Sequence, residues 1–144
     1  MNFKIWLGIV VALVLFGAAG LYLAPQEPEK TLHTEKSNLI VVDAPRRGER
    51  ISSPLIVTGR ARGNWYFEAS FPIEILDAEG NVIGQGYAET KNDWMTEEFV
   101  PFESISIPFS PQAAESQGTL ILRRDNPSGL PEHDDALEVP VIFE

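Results

Sequence analysis

The sequence has no cysteine and only two histidines among its 144 residues. Without cysteine the chain cannot form a disulfide, a zinc–thiolate site, a thiol nucleophile or a lipid-modified lipoprotein terminus. The length is enough for one domain and an appendage. The absence of cysteine fits an oxidising compartment and a reducing one equally, so the location has to be inferred from other features.

Positive charge is scarce after residue 62. From Gly63 onward there are three basic residues against sixteen acidic ones, and the whole chain has a net charge of −10. Because an acidic chain is repelled by a phosphate backbone, nucleic acid is not an expected partner. Five arginines lie within seventeen positions and form either a local basic patch or, as the many nearby carboxylates favour, ion pairs that neutralise the acidic remainder. They are Arg46, Arg47, Arg50, Arg60 and Arg62.

The N-terminus contains the one long apolar run. Ile5 to Ala24 carries no charge over twenty residues, about 30 Å of helix and the thickness of a bilayer core. Lys4 precedes the run, which predicts that the N-terminus stays inside and the rest of the chain lies outside the cytoplasmic membrane. The favoured interpretation is an uncleaved signal anchor. The alternative is a signal peptide cleaved after Ala19, which would give a secreted protein.

Composition divides the chain into three segments. Residues 1–24 are the predicted anchor or signal peptide, and residues 25–37 form a polar linker that begins with Pro25 and contains His33. Residues 38–144 form a single domain in which short apolar runs alternate with turn residues. About seven strands and no convincing soluble helix predict an all-β, immunoglobulin-like sandwich of two sheets.

The stretch "RGNWYFEASFPIEI" shows the clearest alternation. Trp65, Phe67, Ala69, Phe71, Ile73 and Ile75 would share the buried face of one strand, and Tyr66, Glu68, Ser70, Pro72 and Glu74 would share the exposed face. This pattern predicts that Trp65 and Phe67 belong to the core. It also predicts that Tyr66 and Glu68 are the members free to contact a partner.

Four further details follow from the strand pattern. Gly84 and Gly86 are expected to leave room for a bulky neighbour such as the Trp65 ring. The long run from Phe99 to Ser110 is expected to change phase near Glu103. Pro140 indicates an edge strand. Trp94 is either a lid over one end of the core, which we favour, or an exposed aromatic.

The most polar stretch of the domain is "RRDNPSGLPEHDD". Its oxygen-bearing side chains, Asp125, Asn126, Asp134 and Asp135, are weak candidates for a calcium site, although their spacing matches no EF-hand loop. Turn formation by Asp125 or Asn126, with Pro127 and Gly129, is the favoured alternative. Ser128 and His133 have no supporting nucleophile elbow or oxyanion hole, so no catalytic residue is assigned. No cofactor is expected.

A surface patch is the better functional hypothesis. Arg60, Arg62, Tyr66 and Glu68 are predicted to point outward on neighbouring strands, with Trp94 in a nearby loop. Aromatic and arginine side chains are the usual anchors of protein interfaces. Exposed aromatics also stack on sugar rings, which keeps a cell-wall glycan as an alternative ligand. Ordinary cross-strand pairing remains the simplest explanation for any single one of these residues.

The order of several motifs resembles a known family. They are "VVDAPRRGERISSPLIVTGRARGNWYFEASFPIEILDAEGNVIGQGYAE", Trp94, "VPFESISIPF", "GTLILRRDNPSG" and "LEVPVIF", which together cover about Leu39 to Phe143. This stretch resembles the immunoglobulin-like domain of bacterial spore germination, the second GerMN-associated domain. The resemblance implies an immunoglobulin-like sandwich in an extracytoplasmic envelope protein, a binding or adhesion module without established catalytic residues.

These observations predict a non-enzymatic module tethered to the bacterial cytoplasmic membrane. Its expected role is protein contact or adhesion at the cell envelope, with peptidoglycan binding as the alternative. The expected partner is accordingly an envelope protein or a cell-wall polymer. A germination role is not predicted, because that role belongs to chains that also carry a GerMN domain, for which these 144 residues have no room.

Overall fold

A computed structural model describes residues 36–144 of the chain. The predicted span Ile5–Ala24, the cleavage alternative and most of the predicted linker lie outside the described residues. Within residues 36–144, no helix is long and apolar enough to cross a membrane.

The described part of the chain is all-β, as predicted, and contains no α-helix. Short 3₁₀ turns occur at Gly63–Trp65 and Pro131–His133. The eight strands are β1 Ile40–Ala44, β2 Arg50–Ile51, β3 Thr58–Arg62, β4 Ser70–Leu76, β5 Val82–Glu89, β6 Phe99–Ser104, β7 Gln117–Arg123 and β8 Ala136–Phe143.

All eight strands belong to one hydrogen-bonded sheet, in the order β1-β3-β6-β5-β4-β7-β8-β2. The predicted fold of about seven strands in two separate sheets differs from this arrangement. The reason is a narrow link between β5 and β6, where only Ala88↔Ser104 and Glu89↔Glu103 pair. This link joins a three-stranded arm, β1-β3-β6, to a five-stranded arm. The short strand β2 adds the eighth member.

The two arms share one core. The ring of Phe71 in β4 meets the ring of Phe102 in β6 edge to face, with 5.0 Å between the centroids. The predicted alternation is confirmed in β3, β4 and β8, where every second side chain is buried. Burial of these apolar side chains is the main force that holds the arms together in a domain without disulfides.

Lys36 connects the outermost strand β1 to β8, the strand next to the opposite edge of the sheet. Its carbonyl accepts a hydrogen bond from the Ile40 N–H of β1 at 2.9 Å. Its ammonium donates to the Ala136 carbonyl of β8 at 2.8 Å and pairs with Asp135. One residue therefore touches both β1 and β8, which shows how far the sheet curls.

Contacts around Lys36 define one end of the domain. This Lys36 end holds the start of β1, the end of β3, the start of β6 and the β7–β8 connection. The β1–β2 connection and the β4–β5 turn lie at the opposite end.

The stretch from Trp65 to Ala69 does not form the predicted strand. Trp65 ends a 3₁₀ turn, and the β4 strand begins only at Ser70. Between them Glu68 (φ 49°) and Ala69 (φ 65°) occupy the left-handed region, and Phe67 and Ser70 exchange backbone hydrogen bonds across this two-residue turn. The alternation is therefore interrupted before β4, and Phe67 is exposed instead of buried.

Three of the other expectations are refined by the structure. A Cβ on Gly84 would lie 2.8 Å from Phe109, and a Cβ on Gly86 would lie 2.6 Å from Ile107. The side chains of Phe109 and Ile107, and not the Trp65 ring, therefore fill the space beside these glycines. The phase changes after Ser104, one residue beyond Glu103. β8 is not the outermost strand, because β2 pairs with its last residues.

The position of Pro140 explains why a proline is tolerated within β8. Its carbonyl accepts a hydrogen bond from the Gly48 N–H at 2.7 Å. Since the nitrogen and carbonyl of a strand residue point to the same side, its missing N–H faces away from β7. The β7–β8 ladder is therefore complete without it.

Candidate functional site

Arg60 and Arg62 lie on β3 and point away from the core. Gly59 and Ala61 alternate with them and are buried. A Cβ on Gly59 would lie 2.2 Å from the Val41 carbonyl oxygen and 2.7 Å from the Phe102 ring, so no larger residue fits there. This close packing of the inner face fixes the strand and directs both arginines outward.

The two arginines share one aromatic neighbour, Phe99. Arg62 pairs with Phe99 across β3 and β6, and its guanidinium carbon lies 4.1 Å from the ring centroid. The Arg60 guanidinium carbon is 5.9 Å from the same centroid. Both distances fall within the range of cation–π attraction. We call Arg60, Arg62, Phe99 and the neighbouring exposed Pro101 the arginine–phenylalanine surface.

Hydrogen bonds hold both guanidinium groups in place. Arg62 donates to the carbonyls of Asn38 and Glu97, each at 3.0 Å. Arg60 pairs with Asp43 at 3.1 Å. Side chains held in one orientation lose less rotamer freedom when a partner binds, so the surface is already organised for contact.

Tyr66 is not part of this surface, and the prediction that it is exposed is wrong. Only 4% of the residue is accessible. Its hydroxyl donates to the Val100 carbonyl at 2.7 Å, and its ring packs edge to face against Phe71. Burial raises the pKa of the Tyr66 phenol well above its usual range. The residue is therefore a core anchor between β6 and the start of β4.

Glu68 is exposed, as predicted, but lies on the tight turn before β4 instead of on a strand. Its carboxylate interacts electrostatically with Asp125. Burial is the main cause that raises the pKa of the Asp125 carboxyl, the backbone N–H of Asn126 opposes the rise, and the Glu68 carboxylate adds to it. None of the ion pairs and hydrogen bonds found in residues 36–144 joins Glu68 to Arg60 or Arg62.

Trp94 is half-buried and packs against the edge of the core. Its carbonyl oxygen and that of Thr96 lie 2.2 Å and 2.0 Å from the position of a Cβ on Gly63. The loop that carries Trp94 therefore sits directly on the 3₁₀ turn that precedes Tyr66. This contact supports the interpretation of Trp94 as a lid.

The polar β7–β8 loop forms its own hydrogen-bond network. Asn126 donates through its amide nitrogen to Asp134 at 2.7 Å and to the Leu130 carbonyl at 2.9 Å. Asp135 is paired with Lys36. Nitrogen donors thus occupy carboxylate oxygens that a calcium ion would need. Within residues 36–144, no three acidic or histidine side chains converge as a metal site.

Ser128 and His133 come together in the same loop, with 3.5 Å between Oγ and Nδ1. The Ser128 hydroxyl donates to the Asn126 side-chain oxygen at 2.5 Å and accepts from the Leu130 N–H at 3.2 Å. The Ser128 hydroxyl therefore helps to close the turn. This agrees with the interpretation of the loop as a turn formed around Asn126.

The prediction that Phe67 is buried is wrong, and the exposed or half-exposed aromatics Tyr87 and Phe99 are not among the residues predicted for the site. Phe67 is 40% and Tyr87 44% accessible, and Tyr87 lies opposite the exposed Pro72 across β4 and β5. The alternation of "FVPFES" places Phe99 and Pro101 on the face opposite Val100 and Phe102. That signal could have identified Phe99, but its pairing with Arg62 depends on a register that the sequence does not reveal.

A family model described as the immunoglobulin-like domain of bacterial spore germination matches residues 39–129. The match includes β1 to β7 and all residues of the arginine–phenylalanine surface. No curated protein matches the chain. No solved structure matches it either.

Proposed function

Since the chain belongs to the family of immunoglobulin-like domains of bacterial spore germination, we propose that it is a non-catalytic module that makes protein–protein contacts at the bacterial cell envelope. The arginine–phenylalanine surface carries this proposal. It combines two oriented cations, one aromatic ring and an exposed proline on the outer face of β3 and β6. Interfaces draw much of their binding energy from arginine and aromatic residues.

The proposal includes a location outside the cytoplasmic membrane. It is supported by the uncharged run Ile5–Ala24 and by Lys4 before it, which together have the length and charge pattern of a signal anchor. In this arrangement the domain is tethered by the predicted linker, and the arginine–phenylalanine surface faces other envelope proteins. The partner of the proposed contact is an envelope protein with complementary acidic groups.

Capture of envelope proteins on the immobilised full-length chain tests the proposed contact. We expect the Arg62→Glu variant to lose most of the captured protein, because it reverses the charge that lies over Phe99. Arg124→Glu is the charge-matched control, since Arg124 lies in the β7–β8 loop and is not one of the residues of the arginine–phenylalanine surface. Equal capture by wild type and Arg62→Glu would contradict the proposal.

Cell-wall glycan binding is the second candidate, and Tyr87 is the observation that favours it. The exposed ring lies beside Pro72 and between Gln85 and Glu89 on the same outer face. An aromatic ring flanked by planar polar groups is suited to stacking on a sugar. Under this alternative, purified peptidoglycan would retain the wild-type chain with little dependence on salt, Tyr87→Ala would release it, and Arg62→Glu would not.

A further inference from the structure

The structure separates the arginines of the basic stretch into two groups. Arg50 pairs with Glu115, Arg60 with Asp43 and Arg62 with Glu98. No ion pair found in residues 36–144 includes Arg46 or Arg47, and both residues are exposed. Charge neutralisation therefore explains three of the five arginines and leaves these two unexplained.

Arg46 and Arg47 sit on a well-braced connection between β1 and β2. The Glu49 N–H donates to the Arg46 carbonyl at 3.0 Å, and the Gly48 N–H donates to Pro140 of β8 at 2.7 Å. Gly48 has a φ of 74°, which a glycine adopts without strain. One hydrogen bond therefore closes the turn and another attaches it to β8. The two arginines project from a backbone that is held in a defined position.

The acidic groups beside this turn are already engaged. Asp43 is bound to Arg60 at 3.1 Å, and the Glu49 carboxylate accepts the backbone N–H of Arg46 at 2.6 Å. Together with the two arginines they line a shallow depression around the turn. The guanidinium groups of Arg46 and Arg47 are the charges left available there, and the fork geometry of a guanidinium matches a carboxylate in a bidentate contact.

The turn also lies at the end of the sheet opposite Lys36. Lys36 contacts Ala136 at the start of β8, whereas the turn contacts Pro140, about 13 Å further along the strand at 3.3 Å per residue. The chain therefore approaches the domain at one end and presents the free arginines at the other.

We propose that the Arg46–Arg47 turn is a docking site for an acidic segment of a partner protein, with carboxylates of that segment bound by the two guanidinium groups. The site contains neither Arg62 nor Phe99 and adjoins the arginine–phenylalanine surface through the ion pair between Asp43 and Arg60. Acidic residues outnumber basic ones by sixteen to three from Gly63 onward, so an acidic segment is attracted at this turn and repelled from the acidic part of the domain. That contrast would orient the partner.

Binding of the full-length chain in detergent micelles to poly-L-glutamate tests the proposal. We expect Arg46→Gln/Arg47→Gln to weaken binding about tenfold, since two exposed charge contacts are lost. The matched control is Lys91→Gln/Arg124→Gln, which removes the two other cations of residues 36–144 that form no ion pair. This control is expected to change binding less than about twofold, and Arg62→Glu is expected to leave it intact.

The salt dependence of binding and a second polyanion, polyphosphate, complete the test. Wild-type binding should weaken between about 0.01 M and 0.15 M salt, where the screening length falls from about 30 Å to about 8 Å. Equal losses in the two double variants would overturn the proposal, because net charge alone would then explain binding. The absence of wild-type binding at low salt would also overturn it, as would binding of polyphosphate without binding of poly-L-glutamate.

Discussion

Neighbouring residues in this chain have opposite roles, and Tyr66 and Phe67 are the sharpest case. The Tyr66 ring is buried and its hydroxyl is bonded to Val100, whereas Phe67 projects into solvent from the turn that follows. A side chain that fills the core and satisfies a carbonyl contributes to stability in two ways. An exposed ring without a core contact contributes little.

We therefore expect Tyr66→Ala and Phe67→Ala to differ strongly in stability. Tyr66→Ala should lower the free energy of unfolding by about 3–5 kcal/mol, the cost of a large aromatic truncated in a core. Phe67→Ala should change it by less than about 0.5 kcal/mol, as surface substitutions usually do. Urea unfolding of the two variants measures both values. If Phe67→Ala lowered the free energy of unfolding by more than this, Phe67 would belong to the core, and the core would extend into the turn before β4.

Asp125 provides a prediction about pH at the same scale. Burial raises the pKa of its carboxyl in the folded protein above the ordinary value of 3.8. The folded state then holds this proton more tightly than the unfolded state, so stability increases as the pH falls through the folded pKa towards 3.8. Asp125→Asn should be more stable than wild type at neutral pH and should lack this increase.

Two other carboxyls act in the opposite direction and at lower pH. Hydrogen bonding from the Asn81 side chain lowers the pKa of Asp77, and the Arg50 side chain lowers that of Glu115. Their stabilising effect is present at neutral pH and is lost as the pH falls below their ordinary values towards their folded pKa values. Thermal melts of wild type and Asp125→Asn from neutral to acidic pH separate the two effects. If Asp125→Asn still became more stable as the pH falls, that increase in stability would have to come from another group.

At the scale of the strand, the narrow link between β5 and β6 contains an unfavourable pair. Glu89 and Glu103 lie directly opposite each other and are both exposed. Like charges at directly opposed positions destabilise a sheet, and opposite charges stabilise it. Only one other residue pair forms this link, so its strength depends on few contacts.

Glu103→Lys should therefore raise the free energy of unfolding by about 0.5–1 kcal/mol, because it replaces a repulsive cross-strand pair by an attractive one. Glu132→Lys is the control, since it makes the same charge change in the β7–β8 loop. Unfolding in urea at low and high salt gives the comparison. The gain should shrink as salt is added, and an equal gain in the control would attribute it to net charge.

The strands with regular alternation could be predicted from the sequence, and those set by distant pairing could not. β3, β4 and β8 follow a period of two that a single buried face imposes. The two-residue β2 depends on parallel pairing with the end of β8, about ninety positions away, and leaves no local pattern. The turn at Glu68–Ala69 lacks the glycine or asparagine that normally marks positive φ.

In the candidate site, too, the features set by local alternation could be predicted and those set by distant strand pairing could not. The outward direction of Arg60 and Arg62 could be predicted from β3 alone. Phe99 could not be placed beneath Arg62, because the β3–β6 register joins residues 37 positions apart. Tyr66 was assigned to the surface because the alternation was extended through a 3₁₀ turn and a left-handed turn that both break it.

At the scale of the whole molecule, the two proposed contact sites differ in their position relative to Lys36, where the described part of the chain begins. The domain receives the chain at the Lys36 end, and the Arg46–Arg47 turn lies at the other end. The arginine–phenylalanine surface lies on the outer face of the three-stranded arm and begins at the Lys36 end, where Arg62 pairs with Phe99.

The anchor itself can be tested by membrane fractionation of cells that produce the full-length chain. We expect the chain to remain in the membrane pellet after washing with alkaline carbonate, at its full-length mass. Leu13→Arg places a charge at the centre of the apolar run and should cost about 2.5–3.5 kcal/mol of insertion free energy, which should release part of the chain. Ala113→Arg is the control, because it adds the same charge to an exposed loop of the domain. A soluble product shortened by the first nineteen residues would instead establish cleavage after Ala19 and a secreted domain, which would have to reach its partners by diffusion and not from a fixed membrane position.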